Sequence, residues 1–266
     1  MRQIRVTVVF FLLLRAVGFA QDAPTVEAQE PSTSDPQAVA VLNQALAAGG
    51  TSLTATQSFA ASGSITYYWA GKEVKGSVLV CGKGTGQFRL DAVLPEGTRS
   101  WAVSWGKGSI KEADGKSATI HQFNALNDGA IANPLARIAA LANEPGVQIS
   151  YVGLEKAEGL QVHHVRLLPS STPEEDPGRD AAPLRKLEVF VDATSFLVVK
   201  LQDVMHAEDN VKDTYSRELI FADYRLVNGA LMPFSITEKF GGQKTWSLQL
   251  DSISPNPALS DSDFKL

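Results

Sequence analysis

Alternation of apolar and polar residues with a period of two dominates the chain and predicts β-strands. It is clearest near the C-terminus, where Trp246 and Leu248 share one side of a strand and polar residues take the other. Asn228-Gly229 and Gly241-Gly242 mark tight turns, because these residues tolerate the positive φ that hairpins need. Residues 216–253 therefore predict a three-stranded meander with one apolar and one polar face.

The rest of the chain predicts further strands and two helices. Alternation with turns about every ten residues runs from about 59 to 123 and resumes after residue 147, as in an antiparallel sandwich or barrel. Asp35-Pro36 and Asn133-Pro134 are typical helix starts, with an N-cap residue followed by proline. The segment 124–129 is interpreted as a loop. We expect a mainly β fold with a helix, four or five strands, a second helix and about seven strands.

Several strands carry their large apolar side chains on one face. In a strongly curved sheet these faces would converge on one concave side. They would then either fill a closed core, which composition alone favours, or line a cavity for apolar ligands, which two helices are too few to cover. The candidate ligand-binding residues are Tyr67, Trp69, Phe88, Leu90, Trp101, Val103, Trp105, Phe234, Ile236, Trp246 and Leu248.

Composition and the N-terminal segment limit the classes of protein to which the chain can belong. Residues 1–20 are predicted to be a signal peptide, with Arg2 and Arg5 at its start, then a short apolar run and small residues at the cleavage site. Residues 21–36 read as a flexible lead-in, and 169–183 as an exposed loop rich in proline and acid. The net charge is −5, and no basic run follows the leader, which argues against a nucleic-acid partner. The single cysteine, Cys81, excludes an intramolecular disulfide and is expected to be a buried structural thiol rather than a reactive one.

Motifs for catalysis, metals and phosphate are weak. The glycine-rich run 82–86 precedes a strand rather than a helix, so it predicts a hairpin turn and not a phosphate loop. His163 and His164 are adjacent in a strand and point to opposite faces, so they cannot share one metal ion. His121 and His206 have no ligand set at metal spacing, and no nucleophile motif of the hydrolase type occurs. We expect no cofactor, no metal and no enzyme activity; a hydrolase using His163 or His164 is an alternative.

Two parts of the chain resemble a known family. The early strands, Gly76-Ser-Val-Leu-Val through Gln87-Phe-Arg-Leu-Asp and Leu94-Pro, are similar to those of the LolA/LolB-like superfamily of periplasmic lipoprotein carriers. The ending is also similar, in Phe221 to Ile236, Thr245 to Ile253, Asn256 and Asp261-Ser-Asp-Phe264. The resemblance covers most of residues 37–266, which we expect to form a single LolA/LolB-like domain. Arg89, within the run Gln87-Phe-Arg-Leu-Asp, lies between Phe88 and Leu90. Alternation therefore puts it on the more polar face of its strand.

The resemblance implies a fold and a function. The fold is a strongly curved antiparallel half-barrel of about eleven strands, with short helices covering a hydrophobic cavity that holds acyl chains. The function is an exported, periplasmic and non-catalytic carrier or binding protein for a lipid or for the acyl chains of a lipoprotein, not lipid-anchored itself. Expected partners are that ligand and a membrane-associated donor or acceptor protein, and we expect a monomer. The alternative is an envelope sensor or regulatory module that binds a lipoprotein or a protein partner.

Overall fold

The computed structural model describes residues 34–50, 57–129, 131–169 and 185–266. The predicted signal peptide, most of the lead-in and nearly all of the proline-rich loop lie outside these ranges. Within them, no helix is long and apolar enough to cross a membrane.

Thirteen strands form one antiparallel sheet in the described ranges. In chain order they are β1 (Ser58–Trp69), β2 (Lys72–Lys83), β3 (Gln87–Leu94), β4 (Gly97–Ser104), β5 (Lys107–Lys111), β6 (Ser117–Ile120), β7 (Gln148–Ala157), β8 (Leu160–Leu168), β9 (Leu187–Asp192), β10 (Val198–Ala207), β11 (Asn210–Val227), β12 (Ala230–Phe240) and β13 (Gln243–Pro255). Their order across the sheet is β6-β5-β4-β3-β2-β1-β13-β12-β11-β10-β9-β8-β7. The sheet thus joins two meanders through the β1–β13 pair and stays open, with β6 and β7 at its edges.

The predicted fold class, a mainly β chain with one curved antiparallel sheet and short helices, is confirmed. The predicted number of about eleven strands was low, because β5 and β6 are short strands in a segment where the sequence shows mainly turns. The predicted meander is formed by β11, β12 and β13, with Asn228-Gly229 and Gly241-Gly242 at its two turns, all at positive φ.

In the part of the chain that the structure describes, three α-helices and one 3₁₀ turn accompany the sheet: α1 (Pro36–Ala48), α2 (Gln122–Asp128), α3 (Pro134–Ala142) and the turn Asp261–Phe264. The helix starts at α1 and α3 are as predicted; in α1 the carboxylate of Asp35 accepts a 2.8 Å hydrogen bond from the backbone N–H of Gln37. The interpretation of residues 124–129 as a loop was wrong. The buried side of α2 is largely polar, so the helix lacks the apolar stripe that would reveal it.

The sheet bends strongly around one concave face. The rings of Trp101 in β4 and Trp246 in β13 meet edge to face, with centroids 6.5 Å apart. These strands are four positions apart in the sheet, a separation of about 19 Å if the sheet were flat. Most buried apolar residues of both meanders and of α1 accordingly form one continuous core, and Val162, Phe190 and Val199 form a small separate cluster. Helix α1 packs on β7 and β8, whereas α2 contacts β4, β5 and β10 and so bridges distant parts of the sheet.

Candidate functional site

A cavity of about 240 Å³ lies between the end of α2 and the concave face of the sheet. Its wall combines aromatic rings with ionisable groups. The lining residues are Tyr67, Trp69, Arg99, Trp101, Ile110, Ile120, Asp128, Met205, Glu208, Arg217, Glu238, Phe240, Thr245 and Trp246. The cavity reaches solvent near Trp69, which is 41% exposed, and near the exposed Glu208.

The floor of the cavity follows from strand register. Asp203 in β10 pairs directly with Arg217 in β11, and Glu238 in β12 pairs with Trp246 in β13, which in turn pairs with Tyr67 in β1. Directly paired residues in antiparallel strands point to the same face. Arg217 itself pairs with Phe240, two residues beyond Glu238 on the same face of β12. Five adjacent strands therefore carry two acids, an arginine and two aromatic rings into the concave side.

Arg217 is the centre of a buried ionic cluster. The side chain is 1% exposed. Its guanidinium donates to both carboxylate oxygens of Asp203, at 2.9 and 2.7 Å, and also to the carboxylate of Asp128 at the end of α2. Glu238 lies further away, with Oε2 3.9 Å from Nη1 of Arg217. A buried arginine is stable only when such partners replace its hydration, so the cluster ties α2 to β10 and β11.

Helix α3 adds a second cation to the same cluster. Nη1 of Arg137 lies 2.7 Å from Oδ2 of Asp203, and Nη2 donates to the side-chain oxygen of Asn127 at 3.0 Å. The amide of Asn127 also donates to the backbone carbonyl of Val204 at 3.1 Å. The two helices and β10 are thus connected by polar side chains that are all largely buried.

Three carboxyl groups face two guanidinium groups in this cluster, and the pKa values show the imbalance. Burial raises the pKa of Glu238 to about 7, against the lowering effect of Arg217 and Thr245. Burial also raises the pKa of Asp128 to about 6. The pKa of Asp203 is lowered, because the attraction of Arg217 and Arg137 outweighs its desolvation. The cluster therefore takes up protons near neutral pH at Glu238 and Asp128, while Asp203 stays ionised.

The opposite side of the cavity is an aromatic wall with a cation against it. The rings of Tyr67 and Trp69 stack with centroids 4.9 Å apart. The guanidinium of Arg99 lies 5.0 Å from the centre of the Tyr67 ring and 5.7 Å from that of Trp69. It also donates to Glu112 at 2.9 Å and to the hydroxyl of Tyr67 at 3.1 Å. Arg99 therefore has both a carboxylate and a hydroxyl partner at the mouth of the cavity.

The N-terminal half of α2 is fixed by Asn124. Its amide nitrogen donates to the backbone carbonyl of His206 at 2.9 Å, and its oxygen accepts from the backbone N–H of His206 at 3.2 Å. The same amide nitrogen donates to Glu208 at 2.8 Å. Asn124 thus pairs with β10 as a neighbouring strand would, and holds α2 over the cavity.

Of the predicted ligand-binding residues, four line the cavity, six are buried in the core, and Trp105 lies in a turn described below. Tyr67, Trp69, Trp101 and Trp246 line the cavity. The apolar residues Phe88, Leu90, Val103, Phe234, Ile236 and Leu248 are buried in the core, outside this lining. The concave face is thus filled over most of its area and open at one end.

Trp105 was placed on the wrong element. The alternation set it in one strand with Trp101, but β4 ends at Ser104 and Trp105 stands in the following turn with φ of 52° and an exposed fraction of 65%. Its ring covers Gly86, where an added Cβ would lie 2.3 Å from a ring carbon. The turn directs the side chain away from the concave face.

Sequence reasoning missed the ionic half of the site. A usable signal existed: Glu238 occupies the apolar side of its strand with Ile236, and Arg217 does so with Leu219 and Phe221. A charged residue in phase with buried apolar neighbours is expected to be paired inside the protein. Asp128 gave no such signal, because α2 itself was not recognised.

The two histidines that were considered as catalytic residues each interact with a different partner. His163 Nδ1 lies 2.9 Å from the hydroxyl of Tyr151, and His164 Nε2 lies 2.9 Å from Glu188. Burial opposes ionisation of Glu188, but hydrogen bonds from His164 and two basic side chains outweigh it and lower its pKa to about 2. Among the described residues, no group of three or more His, Cys, Asp or Glu could hold a metal ion.

Cys81 is expected to react slowly. It is a free, half-buried thiol, and burial raises its pKa to about 11. Because the thiolate is the reactive form, alkylation by iodoacetamide at pH 8 should be roughly a hundredfold slower than that of glutathione. The rate constants of the folded protein and of glutathione, measured side by side, check this. A rate for the folded protein close to that of glutathione would show that the thiol is reactive.

No protein-family model matches the sequence, and no curated protein matches it. Solved structures do match it. A DUF1329 family protein from Desulfovibrio piger superposes with a TM-score of 0.53 at 12% identity, over 87% of this chain and 98% of that one. A LolA superfamily protein from Nitrosomonas europaea superposes with a TM-score of 0.52 at 10% identity, over 86% of this chain and 97% of that one. At this identity the similarity concerns the fold, and the chain has the LolA/LolB-like fold.

Proposed function

We propose that this protein is an exported, non-catalytic binding or carrier protein whose cavity holds the apolar chain of a lipid or of a lipoprotein. The observation that carries the proposal is the aromatic-lined cavity between α2 and the concave face. Its apolar walls gain free energy from each buried methylene, about 0.8 kcal/mol, without any specific hydrogen bond. The LolA/LolB-like fold, whose sequence resemblance implies a carrier of acyl chains, supports the same class of function.

The size of the cavity sets how a ligand enters. Its volume of about 240 Å³ is below the roughly 300–1,000 Å³ of pockets that enclose a drug-sized molecule. A second hollow of about 340 Å³, lined by Asn124, Met205, His206, Glu208, Tyr215 and Phe240, shares three of these residues with the cavity. A chain can therefore lie along the joined space, and a larger ligand requires α2 to move away from the sheet.

The setting follows from the same proposal. Given the predicted signal peptide, we expect the protein to be exported to the periplasm, where a carrier takes its ligand from one membrane-associated protein and passes it to another. We expect the protein to act as a monomer. The buried ionic cluster under α2 then sets how readily the cavity opens.

Replacing Trp69 by alanine is expected to weaken ligand binding about three- to tenfold, because a half-exposed aromatic wall of the cavity is lost. Binding is measured with N-phenyl-1-naphthylamine, an uncharged apolar dye that becomes fluorescent in apolar surroundings. Trp105→Ala is the matched control, since Trp105 is also exposed but stands outside the cavity lining. Equal affinities for the two variants would contradict the assignment of the cavity, and failure of the unmodified protein to bind the dye would contradict the proposed function.

A further inference from the structure

The charges that line the cavity are unbalanced. Three acids, Asp128, Glu208 and Glu238, face it together with two cations, Arg99 and Arg217. Both cations already have partners: Arg217 is hydrogen-bonded to Asp203 and Asp128, and Arg99 to Glu112 and the hydroxyl of Tyr67. Within the described ranges, the lining therefore presents no unpaired cation to an incoming ligand.

Glu238 is the acid with hydrogen-bonding capacity to spare. Its Oε1 accepts a hydrogen bond from Thr245 at 2.5 Å. Its Oε2 lies 3.9 Å from the nearest guanidinium nitrogen of Arg217, beyond hydrogen-bond distance. A carboxylate that is 4% exposed and only partly paired retains part of its desolvation cost. A ligand group that donates a hydrogen bond or carries positive charge would offset that cost, and an anionic group would add to it.

The aromatic wall points to the same ligand chemistry. The stacked rings of Tyr67 and Trp69 already hold the guanidinium of Arg99 at 5.0 and 5.7 Å, so the wall attracts cations through its π faces. Trp246 is the direct strand neighbour of both Tyr67 and Glu238. A cation beside Trp246 would thus meet an aromatic face and a carboxylate together, the combination by which proteins recognise ammonium groups.

We propose that the cavity selects its ligand by the charge of the head group, taking chains that end in an ammonium or an uncharged hydrogen-bond donor and rejecting chains that end in a carboxylate. This inference rests on the proposed function, because it concerns the polar end of the same bound molecule. The ammonium sits near Glu238 and Trp246 while its chain follows the aromatic wall. A carboxylate in that position would lie beside Glu238, in a lining whose two cations already have partners.

The test compares three chains that differ only at the head group: dodecylamine, dodecanamide and dodecanoate, each below its aggregation threshold. Each competes with N-phenyl-1-naphthylamine for the full mature protein at pH 8. We expect the amine to displace the dye at a concentration at least tenfold lower than the carboxylate, with the amide in between. Equal displacement by the amine and the carboxylate, or preference for the carboxylate, overturns the inference while leaving the proposed function in place.

Two variants separate a local effect from a general one. Glu238→Gln should reduce the ratio of amine to carboxylate affinity at least threefold. Glu73→Gln, which removes the same charge from an exposed surface ion pair with Lys75, should leave the ratio as it is. An unchanged ratio in Glu238→Gln, or an equal change in both variants, contradicts the placement of the head group. If the dye itself does not bind, the proposed function fails and the inference fails with it.

Discussion

Arg217→Ala is expected to lower the free energy of unfolding by about 3–5 kcal/mol, the range measured when one partner of a buried ion pair is removed. Arg217 is the main hydrogen-bond donor to Asp203 and Asp128, and both carboxylates are 2% exposed. Without the guanidinium they would remain buried beside Glu238 with only Arg137 to balance them. Because domains of this kind are stable by about 5–15 kcal/mol, the loss is a large part of the total. Urea unfolding followed by tryptophan fluorescence measures it.

Arg225→Ala is the matched control for that experiment. Arg225 forms a two-nitrogen pair with Asp223 at 3.0 and 2.6 Å, but both side chains are well exposed to solvent. Pairs of this kind contribute about 0–1 kcal/mol, so this variant should unfold close to the unmodified protein. If the two arginine variants lose similar amounts of stability, the cluster at Arg217 does not carry the structural role assigned to it.

The second large effect is a loss of stability as the pH rises towards 8, which is the reverse of the usual loss of stability in acid. Folding raises the pKa of Glu238 from 4.5 to about 7 and that of Asp128 from 3.8 to about 6, in both cases mainly through burial. The folded state therefore binds protons more tightly than the unfolded state at these groups. The stabilisation that results is complete below pH 4 and is lost as the pH rises through 6 and 7.

Other acids act in the opposite direction at lower pH. The pKa of Glu188 is lowered to about 2, where hydrogen bonds from His164 and its neighbours outweigh burial, and that of Asp203 is lowered by its arginines. Their contribution is present above pH 4.5 and is lost as the pH falls through their folded pKa values. We therefore expect stability to be greatest near pH 5 and to fall on both sides.

The variant Glu238→Gln tests the loss of stability that is expected as the pH rises through 6 and 7. The amide can still accept the hydrogen bond from Thr245, but it carries no charge to desolvate. At pH 8 the variant should be more stable than the unmodified protein by about 1–3 kcal/mol, at roughly 1.4 kcal/mol per pKa unit, and the difference should vanish near pH 4. Urea unfolding from pH 4 to 8, with Glu73→Gln as the control, measures this. A variant that is less stable at pH 8 would show that the ionised Glu238 stabilises the cluster.

The architecture could be predicted from sequence because it depends on local signals. Strand alternation, Asn-Gly and Gly-Gly turns, and the Asp-Pro and Asn-Pro helix starts each act within a few residues. The turns and helix starts are found where expected, and alternation failed at Trp105, just past the end of β4. What failed was the short element whose stability comes from distant partners. Helix α2 spans seven residues and is held by Asn124, Asn127 and Asp128 bonding to strands about 80 residues away. No local pattern records such partners.

The site was predictable in part for the same reason. The aromatic residues of the cavity belong to the apolar phase of their strands, so four of them were among those proposed. Which of these residues bury one another and which line open space depends on the curvature of the sheet, and that is fixed by contacts such as Trp101 with Trp246. The ionic cluster assembles from α2, α3, β10, β11 and β12. Strand phase marks Glu238 and Arg217 as buried charges, but no local pattern shows that they share the partners Asp128 and Asp203.

Photolabelling with a twelve-carbon amine that carries a diazirine on its chain tests most directly that the cavity holds an apolar chain. After irradiation and proteolysis, mass spectrometry locates the labelled peptides. We expect labels on the peptides that contain Trp69 in β1 and Trp246 in β13, and their loss when dodecanamide is added in excess. Labels confined to the outer face, for example around the exposed Leu79 and Val93, and insensitive to the competitor, would contradict the assignment of this cavity as the binding site.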